Sequence, residues 1–253
     1  MRLVDLSAPI RQSPPETPAP LRTDIEYSDH AQGAAQIEAL LGVPARLLRD
    51  EEGWAVETFT RFGTHNSTHV DAPWHYNSRI AGARAQTIDE LPLDWFFGPG
   101  VVLDMTAKGD GETVEVADVE AELERIGHAL GGRDIVLVRS GRDASLDDPA
   151  YVGLGPSVTE ETTRWLFDHG VRVMGIDAWG WDGPLYGQAH DALERDEPGI
   201  FWAAHQADLP YAQIERLANL GELPPSGFQV ACFPLRIEGA GAAPARVVAI
   251  VPD

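Results

Sequence analysis

The sequence predicts one α/β domain with a mixed sheet and flanking helices. Three observations carry this. Short β-like runs alternate with segments of helical period, no internal repeat or clean linker divides the chain, and 253 residues suit one large domain better than two. The runs read as strands are Arg2 to Leu6, Val101 to Asp104, Ile135 to Arg139, Val171 to Asp177, Phe228 to Phe233 and Arg246 to Val251. Val119, Leu123, Ile126 and Leu130 recur at helical spacing and predict one apolar face, with Gly131-Gly132 as the stop. Ser157 and Glu160 stand in capping-box spacing and predict a helix that ends before Gly170. A further helix is predicted over Gln36 to Arg49, interrupted near Pro44. Residues 11 to 22, RQSPPETPAPLR, are too proline-rich for a helix or central strand and predict an arm or surface loop. The segment Trp179 to Asp208 predicts a long irregular connection, of the kind that serves function or an oligomer contact.

Forty acidic against 19 basic residues give a formal net charge of −21, which repels phosphate backbones and anionic lipid. Nucleic acid and membrane are therefore not expected partners. No run approaches the roughly eighteen apolar residues of a membrane span, and MRLVDLSAPI lacks an apolar signal core, so a cytoplasmic protein is expected. Cys232 is the one cysteine, which excludes an internal disulfide and a thiolate metal cage. Its setting in FQVACFPL predicts a buried strand thiol.

HNSTHVDAPWH, residues 65 to 75, holds three histidines and an aspartate. On a helix His65 and His69 would meet as in H-E-x-x-H proteases, but Asn66 stands where those carry the general base and Pro73 disfavours helix. An extended run instead puts His69 and Asp71 on one face, while a turn at Asn66-Ser67 returns His65 to the same point. Two imidazoles and a carboxylate leave positions of a divalent ion open to water and substrate, the arrangement of a catalytic rather than a structural site. His75, beyond the proline, is a candidate base or further ligand.

Other chemistries find no support. There is no G-x-S-x-G elbow, Ser140 in VRSGRD lacks its flanking pattern, and no phosphate loop is present. Gly239 to Gly241 reads as a hairpin turn and His190-Asp191 as a surface pair. His128 and His169 lie near predicted helix ends, where a cationic imidazole suits the dipole. Trp54, Phe59, Phe62, Trp74, Trp95, Phe96 and Phe97 surround the motif in sequence. Most belong in a core, and Trp74, Phe59 and Trp95 are the candidates for stacking on a flat substrate. Trp179 and Trp181 are candidates for the same pocket or a dimer contact.

The 65–75 stretch resembles the H-x-G-T-H-x-D-x-P-x-H signature of a cyclase and metal-dependent hydrolase family that includes bacterial kynurenine formamidase, isatin hydrolase and some polyketide cyclases; here Ser67 takes the glycine's place. DLSAPI, DIVLVRSG, VMGIDAW and PARVVAIV resemble further family blocks, and IERLANLGELP is similar to an I-E-N-L-x-N-L-x-x-L-P segment, so the resemblance spans nearly the whole chain. It implies a single swivelling β/β/α-type domain over residues 1–253. It also implies His65, His69 and Asp71 as metal ligands and His75 as catalytic. His205 and Glu215 match a downstream histidine and glutamate that help hold a second zinc in the family's formamidases, whereas isatin hydrolase uses one manganese.

The implied function is metal-dependent hydrolysis of a C–N bond in a small aromatic cyclic amide or N-formyl amide, with one or two Mn2+ or Zn2+ ions activating water as the nucleophile. His75 would move the water's proton to the leaving nitrogen. His205 would orient the water or stabilise the oxyanion, and Glu215 would serve as a metal ligand or fix an imidazole tautomer. The alternatives are a polyketide cyclase using the same metal site, a lactone hydrolase, and a non-enzymatic metal- or ligand-binding protein. The resemblance also implies a homodimer or larger homo-oligomer, with the arm at 11–22 as a candidate contact.

Overall fold

The run Ile135–Arg139, apolar at four successive positions, forms a strand whose first four side chains are all buried, as a central strand covered on both faces requires. The structure, a computed structural model, describes residues 1–253 in two compact units, Met1–Pro9 with Ser67–Asp253, and Ile10–Asn66. The larger unit is built on nine strands: β1 (Arg2–Asp5), β2 (His69–Asp71), β3 (Phe97–Asp104), β4 (Ile135–Arg139), β5 (Val173–Ile176), β6 (Ala212–Glu215), β7 (Phe228–Ala231), β8 (Ala242–Pro244) and β9 (Val248–Val251). They form one mixed sheet in the order β1-β9-β7-β3-β4-β5-β6-β2-β8. The centre, β3 to β6, is parallel, and every other neighbour pair is antiparallel.

Successive side chains along β4 go to opposite sides. Ile135 and Leu137 join one apolar cluster, Val136 and Val138 the other. The first cluster gathers Val4 and Ala249 from one end of the sheet with Val70 and Ala243 from the other, so the sheet curls around it. The second is completed by Val119 and Leu123 of helix α3 (Val116–Ile126) and Leu166 of α4 (Glu160–Asp168), whose apolar stripes face the sheet. This is the mixed α/β architecture that the alternation of elements predicts. Cys232 is wholly buried in the first cluster, as expected, and burial pushes its thiol pKa up.

Helix ends depart from expectation for a shared reason. Helix α3 stops at Gly127, left-handed at φ 65, rather than at Gly131-Gly132. Leu130 still packs on the second cluster, but from beyond the helix, which is why it mimicked the period. The N-cap of α4 is Thr159, whose side chain accepts from the Thr162 N–H, whereas Ser157 lies in a short strand and donates to the Asp182 carbonyl. In the segment expected to be irregular, α5 covers Leu185–Arg195; none of its residues is buried, and Leu185, Gln188, Ala189 and Ala192 form a half-buried face at helical spacing.

In the smaller unit, helix α1 spans His30–Leu41, not Gln36 to Arg49. An Asp29–Gln32 capping box opens it and left-handed Gly42 closes it. Asp24–Ser28 and Val56–Arg61 pair antiparallel beside it. Within residues 11–22 the one regular element is a 3-10 turn at Ala19–Leu21, and the stretch is tied down by the Ser13 N–H to Thr23 carbonyl bond of 2.9 Å. No helix is long and apolar enough to cross a membrane.

Candidate metal centre

The register of β2 against β6 sets this site. His69 lies opposite Glu215 and Asp71 opposite Gln213, so period two on each strand brings His69, Asp71 and Glu215 to one face. His69 Nε2 is 3.3 Å from Asp71 Oδ1 and 3.6 Å from Glu215 Oε2. His69 and Asp71 are completely buried and Glu215 nearly so. One candidate ligand atom from each of the three lies within 4.8 Å of the others, and His75 and Asp71 also bring ligand atoms within that distance.

Donor chemistry shows that a divalent cation fits here. The His69 Nδ1 atom lies 2.9 Å from the Ser67 carbonyl oxygen, which can only accept, so Nδ1 carries the proton. In the neutral ring Nε2 then turns its lone pair toward two buried carboxylates, a concentration of negative donors that a cation resolves. Electrostatics agree. Burial first, then Asp71, pushes the Glu215 pKa up, against the opposing His205 and His69. Burial works to lower the His69 pKa, yet Asp71 and then Glu215 outweigh it and raise it.

Ser67 adopts φ 62, in the left-handed region, so the loop keeps the glycine conformation even with a side chain present. Its hydroxyl donates to the Ala8 carbonyl at 2.8 Å, which anchors the strained residue. Beyond Asp71, Pro73 occupies the first turn of the short helix α2 (Pro73–Tyr76), where its missing N–H costs nothing, and this turn presents His75 half-buried at the site. The Ala72 N–H donates to the Gly241 carbonyl at 2.8 Å. A Cβ at Gly241 would stand 3.2 Å from His75 Cα, so this glycine permits the close approach.

His205 completes the group. Its Nε2 is 3.5 Å from Glu215 Oε1, and its ring lies 5.9 Å from that of His75. Trp202 stacks on His205 at 4.5 Å with planes 7° apart and meets His75 edge-on at 5.0 Å. Asp182 sits behind His205 and bonds Nδ1 through Oδ2, while it also accepts the Ala204 and His205 N–H groups at 2.7 and 3.1 Å. Burial works to lower the His205 pKa, but Asp182, Glu215 and Asp71 raise it to about 9. Glu215 is oriented by the Trp181 N–H, which donates to Oε1 at 3.0 Å.

Five of the six metal and catalytic candidates, His69, Asp71, His75, His205 and Glu215, thus meet in the larger unit. His65 falls in the smaller unit, half-buried next to its boundary at Asn66. Among the aromatic candidates, Trp74 is exposed on α2, Phe59 lies on an exposed strand of the smaller unit, and Trp95 packs partly buried against the first core cluster. Trp181 is core, not pocket lining, with Nε1 donating to Thr163. Ser140 is buried and donates to Asp177, which suits a structural role, and His190 is exposed beside Asp191. Asp182, Trp202 and Arg216 escaped sequence reasoning. Asp182 meets its partner 23 residues later, across the segment that holds α5, and only its Gly-Pro flank hinted at a fixed turn.

Comparison with known proteins places this geometry. A family model described as "Putative cyclase" matches residues 4–183. The chain is 32% identical over 192 residues to the kynurenine formamidase of Salinibacter ruber, covering 74% of this chain and 76% of that protein. Among solved structures, isatin hydrolase A from Ralstonia solanacearum superposes with a TM-score of 0.71 at 23% identity, over 99% of this chain and 92% of that one. Isatin hydrolase A from Labrenzia aggregata, bound to benzyl benzoate, gives 0.68 at 22% identity, over 100% and 94%. At these identities the structures share the fold.

Proposed function

Because the chain belongs to the cyclase family, we propose that it is a metal-dependent hydrolase acting on a C–N bond of a small aromatic lactam or N-formyl amide. The observation that carries this reading is the buried His69–Asp71–Glu215 set with the His69 tautomer fixed by the Ser67 carbonyl. These three residues, with His65 of the same motif, would hold Mn2+ or Zn2+. When bound, such an ion polarises a carbonyl and brings the pKa of a water toward neutrality.

The protein's own residues supply the rest. His75, half-buried at the rim, accepts a proton from the attacking water and returns it to the leaving nitrogen, a task suited to imidazole. His205, held by Asp182, whose carboxylate favours the protonated ring, faces the site as a donor to the developing oxyanion. Trp202 offers aromatic surface beside these groups for a flat ring, and Trp74, exposed on the same short helix as His75, is the further aromatic candidate.

The test is hydrolysis of isatin and N-formylkynurenine by metal-loaded protein, before and after chelation. Chelator-sensitive opening or deformylation is expected. Tight metal binding without turnover of any amide, lactam or lactone would refute the hydrolase. Ring closure of a poly-β-ketone mimic without amide hydrolysis would make it a cyclase.

A further inference from the structure

Directly after Glu215 the chain turns, with Arg216 in the left-handed region at φ 58 and its carbonyl held by Thr68 Oγ1 at 2.5 Å. Its side chain is buried, only 8% of the residue being exposed. The guanidinium carbon lies 3.5 Å from the centre of the Trp179 ring, and Nε is buried with no hydrogen-bond partner. In a chain with 40 acidic residues, no carboxylate comes within salt-bridge distance of this cation. Glu215 and Asp71 are close enough for their charges to act on it, so it stands beside the candidate metal centre.

A guanidinium is costly to desolvate, and a buried one is normally paired with an anion that satisfies its planar fork of donors. Trp179 covers one face of the fork through a cation–π contact and donates nothing to its edge. The geometry points to Arg216 as the recognition group for a carboxylate on the substrate, so that the preferred substrate is an aryl amide bearing a carboxylate. This rests on the hydrolase reading above and narrows it. A neutral lactam such as isatin acquires a carboxylate only when its C–N bond is cleaved, whereas N-formylanthranilate carries one from the start. The alternative duty for Arg216, balancing the charge of the metal ligands, would weaken all substrates alike.

The test compares wild type, Arg216→Gln and Arg216→Lys in two ways: kcat/KM for N-formylanthranilate against neutral formanilide, and calorimetric titration with benzoate, benzamide and acetate. In Arg216→Gln the carboxylate-to-neutral ratio of kcat/KM should fall by about tenfold or more, with partial recovery in Arg216→Lys, which keeps the charge without the fork. Benzoate should bind wild type more tightly than benzamide or acetate, and lose that advantage in Arg216→Gln. An unchanged ratio with both rates reduced, benzoate bound equally by wild type and Arg216→Gln, or acetate bound as tightly as benzoate, would each overturn the assignment. If wild type hydrolyses neither amide, the titrations alone decide the role of Arg216, and the hydrolase reading itself fails only if isatin and N-formylkynurenine are also left intact. Should Arg216→Gln not fold, an unchanged ratio in Arg216→Lys would be the refuting result.

Discussion

Ser67 occupies a backbone position that suits glycine, at φ 62, and its carbonyl fixes the proton on His69. Two variants separate its contributions. Ser67→Ala and Ser67→Gly both lose the hydroxyl bond to Ala8, but only alanine must be forced into the left-handed region. Urea denaturation should find Ser67→Gly the more stable of the pair by about 1 kcal/mol; equal stabilities would show that the turn relaxes. Asp182 is the other residue with a sharp expectation. It accepts from His205 and from two backbone N–H groups, so Asp182→Asn keeps the shape while it removes the charge behind the imidazole. A fall in kcat of about 10–100-fold is expected, with KM changed less; a KM-only effect would place Asp182 outside the reaction. Neither residue's role could be read from sequence. Ser67 is informative only against the glycine of the motif, and Asp182 acts through a partner far along the chain.

At the level of elements, the antiparallel pairing of β2 and β6 makes the site, because it sets Glu215 opposite His69. The eleven-residue motif was legible because its spacing alone puts His69 and Asp71 on one face of an extended run. Glu215 and His205 were legible only through resemblance, since strand pairing over that distance leaves no local trace. Central strands were read well because burial on both faces gives continuous apolar runs, as in Ile135–Arg139. Helix ends were read less well, because Gly127 acts through its left-handed backbone and Thr159 through a side-chain cap, and neither marks the hydrophobic period. The loop before β8 gives an element-scale prediction. Gly241→Ala would press a methyl group against His75 at 3.2–3.3 Å. Stability should drop by about 1–3 kcal/mol in thermal denaturation, and activity should fall further than the folded fraction explains. Unchanged kcat would mean that the placement of His75 does not limit the reaction.

Across the whole molecule, a net charge of −21 means that the fold works against self-repulsion. Salt should therefore stabilise the protein. Raising ionic strength from about 0.01 to 0.15 M shortens the screening length from about 30 to 8 Å, and the melting temperature should rise over that range. A fall would indicate that specific ion pairs outweigh the net repulsion. A divalent ion at the buried carboxylates would relieve the same excess locally. At a free concentration of about a hundred times its Kd it would add about 2.7 kcal/mol, or about 5–10 °C of melting temperature at this size; chelation should remove that increment.

The most direct measurement is elemental analysis of bound metal in purified wild type and in Asp71→Ala, dialysed against the same trace of Mn2+ and Zn2+. Wild type should hold at least one ion per chain and the variant almost none, because Asp71 stands between His69 and His75. Equal metal in both proteins, or none in wild type, would contradict it.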